Sequence, residues 1–170
     1  FIDKVSWILQ EAKKRGATQA EVSSGTSVGF KTTVRLGEIE TLEYERDKSL
    51  ALSIFLGQKK GSASTSDLSE QALLETLEKA LNIAKYTAED PCNGLAESEK
   101  MAKNFIDLDL YHPISLEPTA MVKQLIEFEK EAMAKDKRLE NSEGASFSAS
   151  QGVQVYGNSH GFIGSVETSH

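Results

Sequence analysis

Ser49-Leu50-Ala51-Leu52-Ser53-Ile54-Phe55-Leu56 is the most apolar run in the chain, and its alternation decides the fold class. Leu50, Leu52, Ile54 and Leu56 fall on one face at a period of two, with Ser49, Ala51, Ser53 and Phe55 on the other. That is the pattern of a strand with one face in a core. It is also too short and too interrupted to cross a bilayer.

Upstream, strand character extends back to about Ala20, through Val22, Val28–Leu36 and Glu38–Arg46. Downstream it resumes at Gly61–Ser66. Gly37, the Asp47-Lys48 pair and Gly57-Gln58-Lys59-Lys60-Gly61 sit where turns are expected. Connections this short make antiparallel neighbours, because parallel strands need a long crossover. One inconsistency stands in this stretch. Ile39 and Leu42 are three apart, so strict alternation sends them to opposite faces unless a bulge near Glu40-Thr41 resets the phase.

Helices flank these strands. Ile2, Val5, Ile8, Leu9 and Ala12 recur at helical spacing before Gly16, and a second helix starts after Ser69, an N-cap residue, with Leu68 and Leu73 placed as a staple. Its stripe is Leu73, Leu77, Ala80, Leu81 and Ala84. Thr87 to about Ser115 reads as a long loop, and a third helix runs from Pro118 to about Lys135. Ala145–Ser150, Gln151–Tyr156 and Phe162–Thr168 read as short strands. No internal repeat or low-complexity tract is present. The expected fold is α+β, a mostly antiparallel twisted sheet with three packed helices. Residues 1–140 form an N-terminal domain, and 141–170 are strands leading into a C-terminal domain outside this chain. The opening at Phe1 and the stop at His170 read as cut ends of a larger protein.

The 170 residues include 39% hydrophobic and 26% charged, enough for an ordinary core. A net charge of −7 disfavours nucleic acid and anionic membrane alike, since both need a basic face. The single cysteine, Cys92, excludes an internal disulfide and suits the reducing cytoplasm.

Candidate chemistry is sparse. His112, His160 and His170 are far apart, none in an H-E-x-x-H spacing, so surface or loop histidines are favoured over a zinc site with Cys92. Cys92 sits in the acidic turn Asp90-Pro91-Cys92-Asn93-Gly94, which raises a thiol pKa and argues against a nucleophile. Gly57–Gly61 lacks phosphate-loop spacing and reads as a hairpin turn. No catalytic and no metal-binding residue is assigned.

Two features break their own pattern. On the third helix Met121, Val122, Leu125, Ile126, Phe128, Ala132 and Met133 define an apolar arc, and Glu129 falls inside it. A buried carboxylate needs donors, so Glu129 is expected to be a structural carboxylate satisfied by backbone N–H groups of the polar loop Asn141–Ser146. The alternative is catalysis, for which no second acid or base is at hand. Trp7 lies opposite the stripe of the first helix, either folded over its polar neighbours or exposed for a partner.

Five segments together carry a resemblance. They are Val34-Arg35-Leu36-Gly37-Glu38-Ile39-Glu40-Thr41-Leu42-Glu43-Tyr44, Lys60-Gly61-Ser62-Ala63-Ser64-Thr65-Ser66-Asp67-Leu68-Ser69 and Tyr86-Thr87-Ala88-Glu89-Asp90-Pro91-Cys92. Asn141-Ser142-Glu143-Gly144-Ala145-Ser146 and Val155-Tyr156-Gly157-Asn158-Ser159-His160-Gly161-Phe162 complete the set. In this order, over almost the whole chain, they resemble the N-terminal region of the PmbA/TldE-type subunit of the TldD/PmbA metalloprotease family. The resemblance implies a cytoplasmic heterodimer with a TldD-type subunit that cleaves flexible peptides, linked to maturation of a microcin and degradation of an antitoxin. It implies zinc only in the TldD-type partner, whose H-E-x-x-x-H motif and later cysteine have no counterpart here; Cys92 does not correspond to that cysteine. Trp7, Asn158 and His160 are candidate contacts for partner or peptide. The family's older label, modulator of DNA gyrase, implies an alternative: a regulatory protein-binding module without proteolysis. No basic patch supports that label.

Overall fold

The computed structural model describes residues 1–103, 106–114 and 117–170. Three helices are α1 (Ile2–Lys14), α2 (Glu70–Tyr86) and α3 (Pro118–Met133), with a single 3₁₀ turn at Ser98–Lys100. The strands are β1 (Gln19–Arg35), β2 (Glu38–Leu56), β3 (Lys59–Thr65), β4 (Ala145–Asn158) and β5 (Ile163–Ser169), in one sheet of order β3-β2-β1-β4-β5. The fold is α+β with an antiparallel sheet, and the connections β1–β2, β2–β3 and β4–β5 are short, as antiparallel neighbours allow. No helix among the described residues is long and apolar enough to cross a membrane.

The chain divides into two compact units, and β1, β2, β4 and β5 each contribute residues to both. The first comprises residues 1–26, 47–108 and 153–167. Its core joins Val5, Ile8, Leu9 and Ala12 of α1 to Leu73, Leu77, Ala80 and Leu81 of α2. Ala20, Val22, Leu50, Leu52, Ile54 and Val155 of the sheet complete it. The alternation of β2 thus does what its sequence requires, with Leu50, Leu52 and Ile54 buried and Leu56 partly so. Ser69 caps α2 by accepting the Ala72 N–H at 3.3 Å. Each buried aliphatic side chain contributes about 1.5–3 kcal/mol, so the α1 and α2 stripes suffice to hold both helices on the sheet.

Gly57-Gln58 is the tight β2–β3 turn, and pairing runs from Leu56↔Lys59 to Leu50↔Thr65. Gly61 lies in that register opposite Ile54 and directly under α2. A Cβ built there meets the Ala80 carbonyl oxygen at 2.1 Å and the Ala84 nitrogen at 2.4 Å. Only glycine lets the helix backbone come this close.

The second unit comprises residues 27–46, 109–152 and 168–170. Val34 packs with Val122 and Leu125 of α3, flanked by Met121, Ile126, Ala145 and Phe147. The buried side of α3 is narrower than its sequence suggests. Val122, Leu125 and Glu129 are buried, whereas Phe128 is 53% exposed and Ala132 faces solvent. A sheet surface only a few strands wide covers one turn-to-turn line of the helix, not the whole apolar arc.

Two expectations change. Asp47-Lys48 is not a turn: β2 continues through it, with the Thr26 hydroxyl donating to the Asp47 carbonyl at 2.8 Å and Ser24 to the Ser49 carbonyl at 3.0 Å. The pairing partner on β1 overrides the turn propensity of the Asp-Lys pair. The stretches Ala145–Ser150 and Gln151–Tyr156 likewise form one strand, β4.

The β1–β2 hairpin carries a register change. Leu36 and Gly37 both have positive φ, +51° and +81°, the signature of a two-residue type I′ turn that pairs Arg35 with Glu38. Farther along, the Phe30 and Tyr44 rings lie 5.1 Å apart, which places those residues opposite each other on one face. Arg35 is five residues beyond Phe30, but Tyr44 is six beyond Glu38. One extra residue in β2 between Glu38 and Tyr44, a span that includes Glu40-Thr41, reconciles the two. Ile39 and Leu42 remain 54% and 51% exposed, so the bulge does not deliver them to a core.

Replacing Gly61 by valine is expected to lower stability by about 2–3 kcal/mol through overpacking against the α2 backbone. Gly29→Ala, where the nearest atom lies at an ordinary 3.7 Å, should change it by less than about 0.5 kcal/mol. Urea unfolding of both variants checks the contrast, and equal effects would contradict the close helix–strand approach.

Candidate functional site

Among the described residues Glu129 is the one charged side chain buried in the second unit, 6% exposed, and its surroundings are built from three segments of that unit. Helix α3 presents it one and two turns after Leu125 and Val122, on the line that faces the sheet. The β1–β2 turn supplies donors: the Leu36 N–H to Oε1 and the Gly37 N–H to Oε2, each at 2.9 Å. The Ser142 hydroxyl is a third. That hydroxyl also accepts the Gly144 N–H at 2.8 Å, and the Ser142 carbonyl accepts from Arg35 Nε at 3.0 Å.

These bonds hold the Glu129 carboxyl below its ordinary value of 4.5. The Ser142 hydroxyl contributes most, then the Gly37 and Leu36 amides, against the opposing effect of burial; the Arg35 charge adds a little. A carboxylate kept ionised by three donors is a poor proton shuttle and a firm clamp. The expected donors, backbone N–H groups of Asn141–Ser146, are replaced by the turn amides, with that loop contributing through the Ser142 side chain. Sequence position gave no sign of a partner in the chain so far away. The available cue was Leu36-Gly37 itself, a pair of amides at a hairpin tip with no strand to receive them.

The other singled-out residues do not join Glu129. Asn158 is 2% exposed and shapes the β4–β5 connection. Its N–H donates to the Phe162 carbonyl, its carbonyl accepts from Gly161, its Oδ1 accepts the His160 N–H, and its amide reaches Met101 Sδ at 3.4 Å. His160 is exposed at the tip of that connection. Trp7 is half-buried and packs against the first unit's core. Its indole is wide enough to reach the core from the flank of the helix.

Of the remaining candidates, Cys92 is exposed, and its N–H closes an Asx turn on Asp90 at 2.9 Å. His112 is exposed with Nε2 3.3 Å from Asp109 Oδ1, and its N–H donates to Ser169 Oγ. Among the described residues no three His, Cys, Asp or Glu side chains gather as metal ligands. In the first unit Tyr156 donates its hydroxyl to Glu21 at 3.1 Å, beside an open groove of about 480 Å³ floored by Ser23, Ser53, Ser62 and Ser64. Burial, opposed by an Asn158 hydrogen bond and reinforced by the Glu21 carboxylate, pushes the phenol above its usual range.

Comparison with known proteins places this geometry. Residues 20–84 match the family model for PmbA/TldA metallopeptidase domain 1, and residues 111–170 match that for the PmbA/TldA metallopeptidase central domain. The Metalloprotease PmbA homolog of Haemophilus influenzae is 44% identical over 165 residues, 97% of this chain and 36% of the relative. Metalloprotease PmbA of Escherichia coli O157:H7 is 41% identical over 152 residues, 89% of this chain and 34% of the relative. This chain therefore spans about a third of the length of the relatives it matches. Two crystal structures share the fold. TldE from Thermococcus kodakarensis has a TM-score of 0.78 at 21% identity, over 98% of this chain and 37% of its own. A Bacteroides thetaiotaomicron chain described as a modulator of DNA gyrase has 0.88 at 22%, over 98% and 38%.

The Glu129 clamp has a pH signature. A depressed folded-state pKa means the unfolded chain binds the proton more readily, so the stabilisation is full above the ordinary value of 4.5 and fades as pH falls through the folded value. Glu129→Gln should therefore have a lower urea midpoint than wild type at pH 7, with the gap narrowing below pH 4.5. A gap that stays constant from neutral to acid pH would show that the charge is not what the turn needs.

Proposed function

Because this chain belongs to the PmbA/TldD metallopeptidase family, we propose that it is the N-terminal, non-catalytic region of a PmbA/TldE-type subunit. In this reading the subunit pairs in the cytoplasm with a TldD-type subunit, and the pair degrades or processes flexible peptides. The observation that carries the proposal is the match, in order, to domain 1 and the central domain of PmbA/TldA metallopeptidases.

The family's chemistry implies zinc, and the residues of this chain do not fit it. Hydrolytic zinc needs three protein ligands converging on one open position. His112 is committed to Asp109 and Ser169, Cys92 sits in its own exposed turn, and His160 stands at a hairpin tip. The buried carboxylate, Glu129, is saturated by turn donors. That zinc and the activation of water belong to the TldD-type partner is part of the proposal. What this chain supplies in this reading is shape: a sheet, a clamped hairpin, and contact points for which His160 and the exposed part of Trp7 are candidates, with Asn158 holding the His160 backbone in place. The alternative, a regulatory binding module without proteolysis, draws on a fold-level likeness alone, in a chain of net charge −7.

Co-expression with a TldD-type subunit should yield a stoichiometric complex that holds zinc and cleaves an unstructured peptide, whereas this chain purified alone does neither. Failure to co-purify, or cleavage by this chain alone with one tightly held zinc, would reverse the assignment.

A further inference from the structure

The order β3-β2-β1-β4-β5 makes β3 the outer neighbour of β2, yet β3 pairs only with Leu50–Leu56. From Glu38 to Arg46, within the second unit, no strand lies on that side of β2 among the described residues. The side chains there are exposed, Thr41 partly so. An unpaired edge of this length presents a row of backbone donors and acceptors ready to receive another strand.

The side chains say what kind. Tyr44 stacks on Phe30, so Leu42, Tyr44 and Arg46 share that face, and Glu43 and Glu45 take the other, with Glu45 beside Gly29. Leu42 and Tyr44 are 51% and 70% exposed, large apolar groups flanking an open edge. Glu43 and Glu45 enter none of the ion pairs among the described residues, and neither does Glu38. Arg46 is the only base in the segment.

We propose that the free edge of β2, Glu38–Arg46, binds an extended polypeptide segment by strand addition, and that the preferred segment alternates basic and apolar residues. Directly opposed side chains in a sheet share a face, so lysine or arginine facing Glu43 and Glu45 alternates with apolar residues facing Leu42 and Tyr44. A second copy of the same edge is a poor occupant, because each edge carries four glutamates against one arginine and two such edges repel. The inference rests on this edge and not on the proteolytic reading, and it is tested without a partner subunit. Each can therefore fail without the other.

The test is fluorescence anisotropy of a short capped peptide alternating lysine and valine, titrated with the 170-residue chain. Saturable binding is expected. A glutamate–valine peptide should bind far more weakly, and so should the lysine–valine peptide N-methylated along both edges, which keeps its charge but loses its donors. Glu43→Lys/Glu45→Lys, two exposed changes whose folding circular dichroism verifies, should weaken the lysine–valine peptide about tenfold by turning attractive cross-strand pairs repulsive. Equal binding of the N-methylated peptide would reduce the effect to charge attraction and overturn strand addition. Unchanged affinity in the double variant would move the site elsewhere. A peptide-competed dimer in sedimentation would give the edge to a second copy instead.

Discussion

The carboxylate of Glu129 on the Leu36-Gly37 amides is the contact on which the second unit depends. A two-residue turn forces its central residues to positive φ, and leucine there costs about 1–2 kcal/mol that a glycine or asparagine would avoid. The turn persists because its amides face an ionised acceptor that is itself fixed by α3 and Ser142. The same bonds thus seat the helix, close the hairpin and draw the Ser142–Gly144 loop in beside Val34. Without the charge, the turn would hold strained amides against nothing.

That turn has a consequence along β2. It sets one register, and the Phe30–Tyr44 contact belongs to another, one residue removed. A slip of one residue exchanges the faces of every side chain beyond it. The bulge absorbs the mismatch within the exposed half of the strand, so that Leu50, Leu52 and Ile54 arrive on the same face as Ala20 and Val22. Exposure of Ile39 and Leu42 follows from the same arrangement. They occupy the segment where register is corrected, not where a core is formed.

How much of this was legible depends on whether a signal was local. The alternation of Leu50–Leu56, the α1 stripe and the Ser69 cap are short-range patterns, and each predicts its element because nothing distant contradicts it. Asp47-Lys48 looked like a turn because propensity is local, whereas the Thr26 and Ser24 hydroxyls that hold it extended come from another strand. Glu129 was visible as an anomaly within its helix, but its donors were not, since no periodicity in α3 points to residue 36 or 37. Trp7 left two readings open for a related reason. A helical wheel assigns a direction to each Cα, and a large ring bends around it.

The segments that made the family recognisable are informative for a different reason than chemistry. Gly61 is where α2 meets β3 backbone to backbone, and Gly144 carries φ +96° with a Cβ position 2.4 Å from the Val34 carbonyl oxygen. Leu36-Gly37 is the clamped turn, and Asn158 ties the β4–β5 connection through bonds to His160, Gly161 and Phe162. At Gly61, Gly144 and Gly37 glycine is the residue type that satisfies a close approach or a bend. A sequence read through such positions identifies its fold and relatives, because steric constraints of that kind are specific to one arrangement of backbone. They are silent on substrate, which is recognised at surfaces under no such constraint. The exposed edge of β2 is a surface of that kind, and its specificity has to be read from charge and pairing instead of from motif.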